Sequence, residues 1–226
     1  MKAVTCPGCK RQGDWFSEAY MLRRIKRHLG CLLSLGVLLS GSRALAQNMT
    51  TNHNETIILG GGCFWCMEAV FQRIPGVKSI TSGYAGGHTA NPTYEQVCTG
   101  TTGHAEVTRI EFDPLVISLD KLLGYYWDAH DPTTLNRQGA DEGTQYRSII
   151  LYADDAQKAA AEKSKAEAQK RFHNPIVTEI VPLKKFYPGE AYHQNYYNAN
   201  PDQGYCQAVT RPKVEKIEKK LKEEKH

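Results

Sequence analysis

Low-complexity tracts and internal repeats are missing from this sequence, and no interdomain linker interrupts it after residue 56. Disordered chains and repeat arrays are thereby excluded, and an ordinary globular class is left. Long apolar runs are scarce too. The stretch from Leu29 to Leu39 is too short to cross a bilayer as a helix. Cysteine is sparse, with seven in 226 residues and only Cys63, Cys66, Cys98 and Cys206 beyond residue 46. Four thiols in a chain of this size do not make a disulfide scaffold. Zinc spacing is absent as well. The pairs Cys6–Cys9 and Cys63–Cys66 are separated by 53 residues, whereas a zinc ribbon sets them roughly 15–20 apart.

Positive charge is plentiful only at the start. The formal net charge is +4. Eight of the 28 Lys and Arg, but two of the 24 Asp and Glu, precede residue 47, so the remainder carries −2. No basic stripe remains to neutralise a phosphate backbone, which excludes nucleic acid as a partner. Residues 23–46, "RRIKRHLGCLLSLGVLLSGSRALA", run from a basic segment through an apolar one to a small-residue A-x-A site at Ala46. That is the anatomy of a secretory signal peptide. Residues 1–46 are therefore expected to be a cleaved leader with an upstream extension, Met21 being an alternative start. Export, to the periplasm, is the expected localisation, with no membrane span after processing.

What is there alternates between strand and helix patterns. Residues 47–56 read as a flexible polar leader. "TIILGGG" reads as a buried strand ending in glycines, and "CFWCMEAVFQRI" as a helix starting at or just after Cys63. "VKSITSGYAGG" and "HAEVTRIEFDP" are strand-like, with the turn-rich "HTANPTYEQVCTGTTG" between them. "SLDKLLGYYWDAHD" has a Ser cap and helical spacing, and "DDAQKAAAEKSKAEAQKRF" is a helix with acidic residues in its first turn. "TLNRQGADEGTQY" reads as a glycine-rich loop, and "RSIILYA" and "IVTEIVPL" as further strands. Residues 184–209 have no regular period, and residues 214–226 read as a solvated helical tail with a thin stripe of Val214, Ile217 and Leu221. The expected fold is α+β: a single two-layer domain with helices packed on a mixed β-sheet, a long irregular C-terminal segment, and limits at 57–213.

The stretch "GGGCFWCME" at 60–68 carries the chemistry. A C-x-x-C pair at a helix start after a strand fits a thioredoxin-like dithiol. A lone nucleophile fits equally: at a helix N-terminus the dipole and unpaired backbone N–H groups favour a Cys63 thiolate. Glycines 60–62 let a substrate approach, and Phe64 and Trp65 form an apolar wall. On that reading Cys66 is a small buried residue one turn on. A Cys63–His193 hydrolase is a more distant alternative, and a non-enzymatic binding module another.

Six strings occur in order: "GCFWCME" at 62–68, "GYAGG" at 83–87, "NPTYEQVCTGTTGHAEV" at 91–107, "DEGTQYRS" at 141–148, "FYPGEAYHQNYY" at 186–197 and "GYC" at 204–206. Together, over roughly Ile57 to Lys213, they closely resemble the A-type peptide methionine sulfoxide reductases. The resemblance implies a cofactor-independent oxidoreductase acting on methionine S-sulfoxide in proteins and as the free amino acid. The sulfoxide is chiral, and each epimer has its own enzyme class. It implies Cys63 as the nucleophile that becomes a sulfenic acid, Cys206 as the thiol that resolves it, and a thioredoxin-like donor that reduces the disulfide. Phe64 and Trp65 match the family's methyl-binding aromatics, Tyr84 and Tyr146 its oxygen-binding tyrosines, Asp141 a buried carboxylate, and His193 an organising histidine. Gln96 is read at a position where members often carry glutamate. It can donate a hydrogen bond but not a proton, so Asp141 or a tyrosine-bound water is expected to supply the proton. Cys98 is expected to be buried and inert, and the protein a monomer.

Overall fold

The computed structural model describes residues 54–224, so the expected leader at 1–46 lies outside the described residues. Strand β1 (Glu55–Gly60) takes in two residues expected to belong to the flexible segment. It enters the middle of a six-stranded sheet with the order β7-β6-β1-β3-β2-β8. The other strands are β2 (Val77–Ala85), β3 (Ala105–Phe112), β6 (Ile149–Tyr152), β7 (Glu179–Pro182) and β8 (Phe186–Pro188). Only β6 and β7 pair in parallel; the remaining neighbours are antiparallel. The sheet is thus mixed, and the class is α+β as expected.

Side-chain alternation divides the core. Ile57, Leu59, Ile110 and Phe112 point to the face covered by α1 (Phe64–Phe71), α3 (Leu119–Ala129), α4 (Asp155–Gln169) and α6 (Arg211–Glu223). Ile58, Val107, Ile149 and Leu151 fill the other face. The caps explain the helix starts. Ser118 accepts from the Lys121 N–H at 3.3 Å, and Asp154 from the Gln157 N–H at 2.8 Å.

Three segments are more ordered than their patterns suggest. The loop after β2 contains α2 (Tyr94–Cys98). The glycine-rich loop after α3 holds a short hairpin of β4 (Arg137–Gln138) and β5 (Asp141–Glu142), then a 3-10 turn at Thr144–Tyr146. Beyond β8 come a 3-10 turn at Ala191–His193, α5 (Tyr196–Ala199) and a π-helical turn at Cys206–Thr210. The charged end is no appendage either. Val214 and Ile217 of α6 are buried in the main core.

Candidate active site

Cys63 is the N-cap residue of α1, delivered by β1 through the three glycines. Space under that turn is scarce. Gly62 has φ +95°, and a Cβ at Gly60 would lie 2.8 Å from both the Glu106 carbonyl oxygen and Ile149 Cγ2. A buried polar network holds the turn from below. The Tyr126 hydroxyl donates to the Gly60 carbonyl at 2.9 Å. His130 donates from Nδ1 to the Tyr126 carbonyl at 2.8 Å and accepts at Nε2 from the Ser148 hydroxyl at 2.7 Å. Burial lowers the His130 pKa from 6.5 to about 4, so it works as a neutral ring.

Glu106, on β3, takes the place that a thiolate at the helix start would use. Its Oε2 accepts from the Phe64 N–H at 3.0 Å, and the side chain is buried. This reverses the expected effect of the helix on Cys63. Burial, a hydrogen bond with the Cys66 thiol and the negative charge of Glu106 raise the Cys63 pKa well above the ordinary thiol value. Asp141 adds to the rise. At rest Cys63 is therefore a thiol, and its hydrogen bond favours the charge on Cys66. The Cys66 pKa falls to about 6, chiefly through the hydrogen bond from Cys63.

Around Cys63, which keeps 7% exposure, Phe64, Trp65, Tyr84, Tyr94 and Tyr146 form one buried cluster. Trp65 stacks on Tyr196 with centroids 3.7 Å apart and meets Tyr205 edge-on. Its Nε1–H donates to His193 Nδ1 at 3.2 Å. His193 is buried and its pKa is lowered to about 4, principally by that burial. It organises the aromatic wall, and a Cys–His pairing with Cys63 finds no support. Asp141 is buried and accepts from the Tyr205 hydroxyl at 2.6 Å.

Two expected site residues have their polar groups engaged elsewhere. The Tyr84 ring lies in the cluster, but its hydroxyl donates to Glu190 Oε2 at 2.7 Å, so it is committed to an internal carboxylate. Burial works against the charge on Glu190, yet hydrogen bonds from Tyr84 and from the Tyr94 N–H hold its pKa below the usual carboxylate value. Gln96 is exposed. Its Oε1 accepts from the Thr93 N–H at 3.0 Å while Thr93 Oγ1 accepts from the Gln96 N–H at 3.3 Å, a reciprocal capping box for α2. Its side chain is held as a cap at the surface, outside the buried aromatic cluster.

The structure brings two residues that were not expected, Glu106 and Tyr94, against Phe64. Tyr94 packs on Phe64 with centroids 6.4 Å apart and meets His193 edge-on at 4.3 Å. Sequence reasoning passed over Glu106, though its signal was available. The alternation in "AEVTRIEF" puts it on the same face as Ile110 and Phe112, where a carboxylate is buried and must have a use.

Among the described residues the other thiols are Cys66, Cys98 and Cys206, none joined in a disulfide. Cys98 is half-buried at the edge of the aromatic cluster. Cys206 is buried in the π-helical turn, inside a segment whose sequence shows no regular period. Cys66 is fully buried, but its sulfur makes polar contacts that mere packing does not call for.

Residues 55–226 match the family model described as peptide methionine sulfoxide reductase. The chain is 57% identical to the peptide methionine sulfoxide reductase MsrA of a Nitratiruptor species over 164 residues, covering 73% of this chain and 94% of that one. It is 56% identical to the MsrA of Leptospira borgpetersenii serovar Hardjo-bovis, covering 72% and 92%. Among solved structures it resembles Mxr1 from Saccharomyces cerevisiae in reduced form, with a TM-score of 0.65, 38% identity, and 68% of this chain and 89% of that one covered. Methionine sulfoxide reductase A of Corynebacterium diphtheriae gives a TM-score of 0.62 at 40% identity, covering 69% and 78%.

Proposed function

Because the chain belongs to the peptide methionine sulfoxide reductase family, we propose that it reduces the S epimer of methionine sulfoxide, in proteins and as the free amino acid, to methionine. The observation that carries the reading is the pairing of Cys63 with the buried Glu106 at one helix start, inside an aromatic wall. A thiol, an apolar surface for the S-methyl group and a carboxyl able to donate to the sulfoxide oxygen are the groups this reaction needs.

In this scheme Phe64 and Trp65 receive the methyl group. Glu106, ionised at rest, takes up the Cys63 thiol proton as the sulfoxide binds and donates it in a hydrogen bond to the sulfoxide oxygen, with Tyr94 and Tyr146 in the neighbouring aromatic cluster and Asp141 at its edge. That hydrogen bond makes the sulfoxide sulfur electrophilic, and the Cys63 sulfur attacks it. The attack joins the two sulfurs; the protonated oxygen then passes to Cys63 as its bond to the methionine sulfur breaks, the sulfur–sulfur bond breaks with it, and methionine leaves with two electrons. Cys63 keeps the oxygen as a sulfenic acid. Condensation with a second thiol then gives a disulfide and water, Cys206 ending as a member of that disulfide, and a thioredoxin-type dithiol reduces it. A thioredoxin-like oxidoreductase built on Cys63 and Cys66 is not favoured, since it leaves Glu106 and the aromatic wall without a role.

The signal-peptide pattern supports export, with the processed protein starting at Gln47 and working as a monomer in the periplasm. N-terminal sequencing of the exported protein checks this. A start within residues 1–20 on that form contradicts it, and light scattering reads the oligomeric state.

Incubation of the protein with a small dithiol and (S)-methionine sulfoxide, with methionine quantified, tests the activity itself. No methionine above the enzyme-free rate overturns the reading.

A further inference from the structure

Helix α1 buries a carboxylate of its own. Glu68 is 2% exposed and lies about one turn beyond Trp65, on the same face of the helix. A carboxylate taken out of water is costly unless it is engaged, and Glu68 Oε1 accepts from the Asn195 N–H at 2.9 Å. Burial pushes its pKa up, while the Asn195 N–H, the Ser82 hydroxyl and the Tyr196 N–H oppose that rise. Asn195 stands in left-handed backbone at φ +53°, a conformation that surrounding contacts must hold. The next residue, Tyr196, opens α5 and lies flat on the Trp65 ring, at an interplanar angle of 8°. The Asn195 side chain does not cap α5, so the start of that helix is held from α1 instead. Gln72 also donates to Asn195 Oδ1, Arg73 to Asn198 Oδ1, and Asn198 to Gln72 Oε1, but these bonds lie at the surface and compete with water. Among these contacts Glu68 contributes the buried acceptor. Trp65 is thus fixed on two sides, by the Tyr196 ring and by the bond from its Nε1–H to His193, and the Asn195 turn lies between those two partners along the chain.

From this placement, and resting on the sulfoxide reductase reading, we propose that Glu68 is a positioning residue that sets the affinity for the sulfoxide. Its buried carboxylate fixes the Asn195 turn, and the turn lays Tyr196 on Trp65. The indole is thereby held where it receives the S-methyl group. Glu68 acts through Tyr196 and takes no part in the sulfur chemistry. Its loss therefore weakens binding of the sulfoxide and leaves the chemical step nearly as fast, the signature of an interaction made equally in the ground state and the transition state.

The test follows methionine formation in the first turnover of pre-reduced protein over a range of (S)-methionine sulfoxide concentrations, which separates the half-saturation concentration from the limiting rate. Glu68→Met removes the acceptor and keeps an apolar chain of similar length, and the freed N–H belongs to an exposed residue that water reaches. Its half-saturation concentration should rise roughly 2- to 10-fold, the worth of one aromatic pair, with the limiting rate within about twofold. Glu68→Gln, which keeps an acceptor for the Asn195 N–H, should restore the affinity. Tyr196→Ala should weaken binding to a similar extent, and adding Glu68→Met to it should weaken binding no further, because the two residues act in one chain of contacts. An unchanged half-saturation concentration in Glu68→Met, a loss confined to the limiting rate, or effects that multiply in the double variant overturns the proposal. Unaltered affinity in Tyr196→Ala overturns it as well, and that reading leaves the core untouched, so it does not depend on how a Glu68 variant folds. Absence of any methionine from the unsubstituted protein instead strikes the sulfoxide reductase reading on which the proposal stands.

Discussion

At Cys63 two demands oppose each other. A sulfur nucleophile is stronger as a thiolate, yet the leaving oxygen needs a proton donor close by, and in the proposed scheme Glu106, whose charge raises the Cys63 pKa, serves the second demand at the expense of the first. This gives a prediction with two readouts of opposite sign. Glu106→Gln keeps the shape and removes the acid, so turnover at neutral pH should fall by roughly 100- to 10,000-fold, the usual worth of a placed general acid. Losing the charge should also lower the Cys63 pKa, so alkylation of Cys63 by iodoacetamide should speed up at the same pH. Unchanged turnover contradicts the assignment of Glu106 as the acid. Gln96→Glu, by contrast, should leave the rate and its pH profile alone, because that side chain caps α2 at the surface. A raised rate in mild acid would return Gln96 to the site. Cys63→Ser should be inactive in a methionine-release assay, since an alcohol is a far poorer nucleophile than a thiolate.

Among the elements, α3 and α4 were legible because a side-chain cap opens a long helical pattern, whereas α2, capped but only five residues long, and the segments held by distant side chains were not. Ser118 and Asp154 announce α3 and α4. The chain from residue 184 to 210 has no period to read because remote contacts shape it. Glu68 of α1 accepts from the Asn195 N–H, Gln194 bridges the Ser82 backbone, and Glu190 accepts from Tyr84 and Tyr94. The polar layer under the glycine turn was equally hidden, and it carries a pH signature. Burial holds His130 and His193 at about 4 instead of their ordinary 6.5. Between those values the unfolded chain binds the protons and the folded one does not. Their contribution is therefore fully present above pH 6.5 and is lost as pH falls towards 4. For His130 the loss amounts to ~3 kcal/mol at the bottom of that window. Denaturant titrations at several pH values should show His130→Gln with a shallower decline than the unsubstituted protein. Parallel curves would mean that His130 is already charged when folded.

Across the domain as a whole, composition and alternation were enough to read an α+β fold, and Cys63, Phe64, Trp65, Tyr146, Asp141 and His193 do converge in one cluster or on its edge. What the sequence hid was which hydroxyl or carboxyl each side chain meets. Tyr84 and Tyr94 are both buried aromatics that meet Glu190, Tyr84 through its hydroxyl and Tyr94 through its backbone N–H, and that difference tells them apart. The C-terminal helix misled for a related reason. A thin apolar stripe among many lysines looks solvated, but it needs only Val214 and Ile217 to anchor α6 in the core, helped by the Lys220–Asp128 and Arg73–Glu218 ion pairs. Ile217→Ala should therefore cost about 2–5 kcal/mol, a core-sized loss, readable by thermal or denaturant unfolding. A change within about 0.5 kcal/mol would restore the picture of a loose tail. The central claim, a Cys63 thiol reducing one epimer of a chiral sulfoxide in a pocket shaped by Phe64, Trp65 and Glu106, meets its most direct test in resolved epimers. The processed protein is given a dithiol reductant with either (S)- or (R)-methionine sulfoxide, and methionine is quantified. Methionine from the S epimer alone, lost in Cys63→Ser, is the expected result. Equal reduction of both epimers, or activity that survives Cys63→Ser, contradicts it.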